Sequence, residues 1–150
     1  RQDPTWFRTN GERYGRDGCR VPLPWKSQAP AFGFSQDGES WLPQPSSWAP
    51  YARDVQREDP DSTLSLYRRL LELRKEHDLG TGELVWASEE DSEVLVFSNG
   101  KVLVVANFGA NAQDLPELAR GAQELVRSQP AEGSAPETIP AESTIWYLLP

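Results

Sequence analysis

The segment of residues 15–25 limits the folds open to this chain more than any other part of the sequence. Pro22 and Pro24 each lack a backbone N–H donor, so this segment cannot lie inside a helix or a central strand. The sequence therefore predicts a shaped loop with a stiff backbone, which we call the arginine loop (residues 15–25). The loop carries Arg20, whose planar guanidinium suits a carboxylate or the vicinal hydroxyls of a sugar.

The charges of the arginine loop allow a second interpretation. In it, Arg16, Asp17 and Arg20 pair with one another and only hold the loop together, as most loop charges are structural or solvated. Composition does not decide between a binding arginine and such a self-paired loop.

The arginine loop resembles a segment of a known family. Its sequence RDGCRVPLPW (residues 16–25) is similar to the Arg-Asp-x-x-Arg-x-Pro-x-x-Trp segment of α-glucosidases and oligo-1,6-glucosidases in glycoside hydrolase family 13, the α-amylase family. In that family the segment lies in the long loop after the eighth strand of a (β/α)8 barrel. The resemblance continues in order through residues 32–35, 41–45 and 65–74, the last of which matches the final barrel helix.

The resemblance implies an α+β chain in two parts. Residues 1–79 would be the last loop and helix of a (β/α)8 catalytic barrel, and residues 80–150 an antiparallel β-sandwich C-terminal domain. Retaining glycosidases use a carboxylate nucleophile and a general acid, and in this family both would precede Arg1. No catalytic residue is therefore assigned to this chain. With no methionine and an arginine at its start, we expect it to be a piece of a longer protein.

The resemblance also implies roles for the loop charges. Arg20 matches the arginine that, in exo-acting α-glucosidases, binds the non-reducing-end glucose at the −1 subsite, so Arg20 is the expected substrate-binding residue. Arg16 and Asp17 are expected to brace the loop. The expected partners are an α-glucoside oligosaccharide and the rest of the barrel. Two alternatives stay open: a non-catalytic carbohydrate-binding or scaffolding module, and a sister activity such as sucrose isomerisation or trehalose synthesis.

Composition excludes several other classes. A net charge of −8 disfavours nucleic acid and anionic membranes, which bind basic surfaces. The single cysteine rules out an internal disulfide and a cysteine-rich zinc site, and the single histidine argues against Ser-His-Asp chemistry carried out by this chain alone. No apolar run approaches the roughly 18 residues that span a bilayer. We expect no cofactor, no metal site and a cytoplasmic location.

Residues 1–60 are rich in Pro, Gly, Ser and Trp and show no sustained helical or strand period, so we expect loops that lie on a body not supplied here. Their tryptophans could stack on sugars or pack locally; we favour packing for most of them.

A helix is predicted from a cap at Asp59, with Pro60 at its first position, to Gly80. Its apolar arc contains Arg74, which should therefore face a carboxylate or a carbonyl. His77, near the C-terminal end, is expected to be structural.

Strands follow at residues 83–88, 93–98, 101–108, 123–128 and 144–149. A hairpin turn is predicted at Asn99-Gly100 and a loop at residues 129–141. Residues 102–106 should form an inner strand, and the sheet should lean on the preceding helix.

Overall fold

The chain divides into two compact units, Arg1–Leu64 (unit 1) and Ser65–Pro150 (unit 2). The structure is a computed structural model, and it describes residues 2–88, 91–130 and 137–150. This division groups most of the long helix with the strands. The domain boundary after residue 79, expected from the resemblance, stays a prediction.

Unit 1 consists mainly of loops, as its lack of periodicity predicts. It contains two short helices, α1 (Pro4–Arg8) and α2 (Arg53–Glu58). Three 3-10 turns lie between them, at Asp17–Arg20, Pro30–Gly33 and Ser46–Tyr51. Among the described residues of unit 1, the buried apolar residues are Pro22, Leu42 and Ala52. Hydrophobic burial within the unit therefore contributes little to its shape.

The longest helix, α3 (Thr63–Glu76), starts later than predicted. Asp59 does not cap it: its side chain and carbonyl instead close a turn, accepting the N–H groups of Asp61 at 2.9 Å and Ser62 at 3.2 Å. The N–H of Leu64, in the first helical turn, is accepted by Gln56 Oε1 at 3.2 Å. The predicted start was wrong because this aspartate completes a local turn before the helix begins.

The helix also ends earlier than predicted, at Glu76 rather than near Gly80. The residue in the left-handed conformation is Asp78, with a φ of 53°. The N–H of Leu79 donates to the carbonyl of Arg74 at 3.0 Å, and the N–H of Asp78 donates to that of Lys75 at 3.4 Å. This is the Schellman pattern, with an aspartate in the place where glycine is commonest.

Only part of the predicted apolar arc of α3 is covered. Leu73 is fully buried, and Leu66 and Leu70 are half-buried, whereas Tyr67 and Leu71 are 62% and 63% exposed. Leu66 and Leu70 line a small crevice together with residues of the sheet, in line with the prediction that the sheet leans on this helix.

The predicted partner of Arg74 was wrong. Arg74 is exposed, and it takes part in none of the ion pairs formed among the described residues. A guanidinium in water needs no buried counter-charge.

Five strands of unit 2 form one antiparallel sheet in the order β1-β2-β3-β7-β5. Their bounds are β1 Leu84–Trp86, β2 Val94–Asn99, β3 Val102–Asn107, β5 Gln123–Arg127 and β7 Ser143–Leu148. The β2–β3 hairpin pairs Asn99 with Val102, so its two-residue loop is Gly100-Lys101, one position later than predicted. Gly100 has a φ of 57°, as the first central residue of a type II′ turn requires.

A second, two-stranded sheet was missed by the sequence analysis. It pairs β4 (Gln113–Asp114) with β6 (Thr138–Ile139), and β6 lies inside the segment predicted as a loop. Residues 131–136 of that predicted loop lie outside the described residues. Two-residue strands carry no readable period, so their pairing could not be inferred from the sequence.

The core of unit 2 lies on both faces of the large sheet. All six residues of β3 are buried, which confirms the predicted inner strand. One face carries the cluster that includes Leu103, Val105 and Ile145 and reaches Ile139 of β6. The other face carries Val102 and Val104, packed with Leu79 after α3. Strand residues on both faces therefore contribute to hydrophobic burial.

Candidate functional site

The arginine loop folds as its composition predicts. Gly15 opens it with a φ of 72°, a 3-10 turn spans Asp17–Arg20, and Val21 returns the backbone to an extended conformation ahead of the two prolines. A Cβ atom on Gly15 would lie 2.5 Å from Cγ of Asp3. The turn therefore requires glycine both for its φ and for its close approach to Asp3.

Arg20 forms an ion pair with a buried aspartate. Its Nη1 lies 3.0 Å from Oδ2 of Asp3, and the side chains are 44% and 3% exposed, respectively. One nitrogen of the guanidinium is thus held by a buried carboxylate while nearly half of the Arg20 side-chain surface stays exposed. Asp3 was not predicted, because nothing in the residues around it shows that it would meet a loop that begins 12 positions later.

Asp3 is fixed by backbone donors as well as by Arg20. Its Oδ1 accepts the N–H of Thr5 at 2.8 Å, capping α1, and its Oδ2 accepts the N–H of Arg16 at 2.9 Å. The N–H of Arg16, then that of Thr5, and the charge of Arg20 lower the pKa of Asp3 from its ordinary 3.8 to about 2, although burial acts in the opposite direction. The carboxylate is therefore ionised at neutral pH.

Arg16 and Asp17 take no part in an ion pair with Arg20. Among the ion pairs of the described residues, none joins these three charges to one another, so the self-paired loop is not what the structure contains. Asp17, which is 9% exposed, accepts the N–H of Gln2 at 2.8 Å, and Arg16 contributes its backbone N–H to Asp3. A bracing role for Arg16 and Asp17 and a sugar-binding role for Arg20 stay predictions.

Residues from later in unit 1 donate hydrogen bonds to the backbone carbonyls of the arginine loop. Trp41 Nε1 donates to the carbonyl of Arg20 at 3.0 Å, and Gln44 Nε2 donates to that of Pro22 at 3.0 Å. The N–H of Arg53 reaches the carbonyl of Pro24 at 3.1 Å. The backbone on both sides of the prolines is thus fixed without an apolar core.

The aromatic residues of unit 1 differ in their packing. Trp6 and Tyr14 are in ring contact, with centroids 5.8 Å apart. Trp25, Phe34 and Trp41 are exposed, and so is Tyr14 despite its contact with Trp6. Trp41 combines an exposed ring with a hydrogen bond to the backbone of Arg20, so an apolar face lies beside the candidate site.

A second carboxylate, Asp54, joins α2 to the end of the arginine loop. It accepts the backbone N–H of Ser27 at 3.0 Å and the Ser27 hydroxyl at 3.2 Å. Burial acts to raise the pKa of Asp54, but the hydrogen bonds from Ser27 and from the N–H of Val55 outweigh it, and the pKa lies below its ordinary value. Asp54 resembles Asp3 in linking a helix to a loop segment, but the ion pairs of the described residues do not include it.

The described residues contain neither a metal-ligand cluster nor a membrane-spanning helix. No three His, Cys, Asp or Glu side chains in them are gathered as metal ligands. No helix within the described ranges is both long enough and apolar enough to cross a bilayer.

Comparison with known proteins connects this geometry to one family. Residues 1–82 match the model of the α-amylase catalytic domain. A probable α-glucosidase of Rhizobium meliloti (strain 1021) is 37% identical over 139 residues, which are 88% of this chain and 23% of that protein. A trehalose synthase of Thermus thermophilus is 36% identical over 115 residues, covering 67% of this chain and 12% of that protein.

A solved structure of the trehalulose synthase MutB has a similar fold. It superposes with a TM-score of 0.70 at 25% identity, over 97% of this chain and 28% of MutB. The chain thus spans less than a third of the length of each of these three proteins.

Proposed function

The chain belongs to the α-amylase family, and we propose that it is the C-terminal portion of an exo-acting, retaining α-glucosidase. The whole enzyme would release glucose from the non-reducing end of short α-glucosides. Residues 1–79 would supply the last loop and helix of the catalytic barrel, and residues 80–150 an antiparallel β-sandwich. A cytoplasmic location is part of this proposal.

The observation that carries the proposal is the Arg20 side chain, which is 44% exposed while its guanidinium is held on a buried carboxylate within a braced loop. Arginine has five N–H donors in one plane, so an arginine that spends one nitrogen on Asp3 keeps others for vicinal hydroxyls. A charged wall of this kind at the end of a sugar pocket would bind the terminal glucose and stop a longer chain from passing through.

The reactive carboxylates, in this proposal, belong to a part of the catalytic domain that these 150 residues do not contain. The test uses p-nitrophenyl α-glucoside with the full-length enzyme and, separately, with residues 1–150. We expect turnover by the full-length enzyme alone, since retaining hydrolysis needs a nucleophile and an acid on either side of the scissile bond. Turnover by residues 1–150 would overturn this assignment of the reactive groups.

A sister activity is the second candidate, because the similar proteins include a trehalose synthase and a trehalulose synthase. Product analysis separates the two: the full-length enzyme is incubated with maltose and with sucrose, and the products are resolved by chromatography. Free glucose as the main product supports the hydrolase. Trehalose from maltose, or an isomer of sucrose, would assign the chain to a glucosyl-rearranging enzyme instead.

A further inference from the structure

We propose that Asp3 is a positioning residue that sets the orientation of the Arg20 guanidinium for the terminal sugar of the substrate. This inference rests on the proposed function, in which Arg20 binds that sugar. Asp3 itself is 2% exposed and would not touch the sugar; it would act through Arg20.

The contacts of Asp3 show that its carboxylate is fixed independently of Arg20. Oδ1 is held by the N–H of Thr5 at 2.8 Å and Oδ2 by the N–H of Arg16 at 2.9 Å, so both oxygens are fixed by backbone donors before Arg20 is considered. A long, flexible arginine side chain then places Nη1 3.0 Å from Oδ2. The carboxylate is therefore fixed, and its position determines the position of the guanidinium.

The surroundings keep this fixed point from shifting. Gly15 packs so closely on Asp3 that a Cβ on Gly15 would lie 2.7 Å from the Asp3 Cβ and 2.7 Å from Oδ1. The other end of the Arg20 residue is held too, because Trp41 Nε1 donates to its carbonyl at 3.0 Å. Backbone and guanidinium of Arg20 are therefore both held while the side chain stays 44% exposed.

Holding the guanidinium in place matters for a binding arginine. A free arginine side chain loses rotamer freedom when it binds a ligand, and that loss subtracts from affinity. An arginine already oriented by Asp3 avoids most of that loss. It also presents its remaining N–H donors in one fixed plane, as recognition of neighbouring hydroxyls requires.

Asp3→Asn in the full-length enzyme tests this inference, because it keeps the size of the side chain and changes only its donors and acceptors. If the amide keeps its oxygen on the Thr5 N–H and so preserves the cap of α1, its NH₂ faces the N–H of Arg16 and the guanidinium of Arg20, which are both donors. Arg20 would then leave its place. We expect kcat/KM on maltose to fall roughly ten- to hundredfold.

The readout that a merely structural role would not give is dependence on Arg20. Asp3→Asn is therefore also made in an Arg20→Ala background, where we expect no further fall in kcat/KM, because the group that Asp3 positions is gone. Asp37→Asn is the matched control: this carboxylate also accepts a backbone N–H, that of Glu39 at 3.0 Å, but it lies outside the arginine loop and is not paired with Arg20. It should leave kcat/KM unchanged.

The possible outcomes distinguish a failure of the positioning role of Asp3 from a failure of the sugar-binding role of Arg20. An equal fall in both backgrounds would make Asp3 a structural residue and overturn the inference. So would an unchanged kcat/KM in Asp3→Asn alongside a large loss in Arg20→Ala, which would leave the proposed function standing. An unchanged kcat/KM in Arg20→Ala itself would remove Arg20 from the sugar site, and the positioning role with it.

Discussion

Unit 1 and unit 2 are each stabilised internally by a different kind of interaction. In unit 2 every residue of β3 is buried, and apolar clusters lie on both faces of the sheet. In unit 1 the described residues bury only three apolar side chains, Pro22, Leu42 and Ala52, whereas the buried carboxylates Asp3 and Asp17 accept backbone N–H groups. Burial shapes the sheet, and directional hydrogen bonds shape the loops.

This difference fits the proposed roles of the two units. The large exposed side chains of unit 1 include six aromatic ones: Phe7, Tyr14, Trp25, Phe34, Trp41 and Tyr51. Loops that lie on the rest of a catalytic domain would cover such side chains there. A loop that carries a binding residue gains from polar bracing, because hydrogen bonds fix a backbone at a surface where no core can form.

The largest expected effect comes from comparing the same substitution, leucine to alanine, in the two units. Leu103→Ala in unit 2 removes a side chain that is 1% exposed within the main cluster and should lower the free energy of unfolding by about 2–5 kcal/mol. Leu23→Ala in unit 1 removes one that is 66% exposed and should change the free energy of unfolding by less than about 0.5 kcal/mol. Urea denaturation of both variants measures the difference. A loss at Leu23 as large as at Leu103 would show that the arginine loop has an apolar cover.

The next effect concerns activity rather than stability. Arg20→Ala in the full-length enzyme should lower kcat/KM on maltose by about one to two orders of magnitude, since removing a hydrogen bond to a charged group costs roughly 1.5–3 kcal/mol. Steady-state kinetics measure it, with Arg53→Ala, an exposed arginine at the start of α2, as the control. Equal losses in both variants would point to a general charge effect instead of a sugar contact.

The sequence predicted unit 2 better than unit 1, for a physical reason. Alternating and continuous apolar runs report burial, so the inner strand, the hairpin and the existence of α3 were foreseen. Hydrogen bonds between a carboxylate and a distant backbone N–H leave no such period. The pairing of Arg20 with Asp3 was therefore not foreseen, although the arginine loop itself was, because its prolines restrict the backbone locally.

The same limit explains the errors at the ends of α3. Asp59 suits a cap and Gly80 a helix end by residue type. The chain instead closes a turn around Asp59 and places Asp78 in the left-handed conformation. At both ends of α3 several residues are suited by type to the capping position, and contacts with other parts of the chain determine which of them is used.

Two glycines of the arginine loop form a matched pair for a smaller effect. Gly15→Ala puts a Cβ at a φ of 72° and 2.5 Å from Cγ of Asp3, so we expect a loss of about 1–2 kcal/mol in the free energy of unfolding. Gly18→Ala meets no atom within 4 Å and should change the free energy of unfolding by less than about 0.5 kcal/mol. Thermal denaturation of the two variants compares them. If Gly15→Ala were as stable as the wild type, the close approach to Asp3 would not exist.

The smallest effect under ordinary conditions is the pH dependence of the Asp3 contacts. The pKa of Asp3 is lowered from 3.8 to about 2 in the folded chain, so the folded state binds the proton less readily than the unfolded state does. Its contribution to stability is therefore complete well above pH 3.8 and is lost as the pH falls through 3.8 towards 2. Between pH 5 and 8 we expect no change from this group.

An NMR titration of the Asp3 carboxyl measures its pKa directly, and urea denaturation at pH 5, 4, 3 and 2 follows the linked stability. Asp3→Asn should be less stable than the wild type at pH 5, and the gap should narrow as the pH falls, because the wild-type carboxylate is then neutralised too. A titration midpoint near 3.8 in the folded protein would show that Asp3 does not hold its backbone donors in solution. The loop would then lack the fixed carboxylate on which the orientation of Arg20 depends.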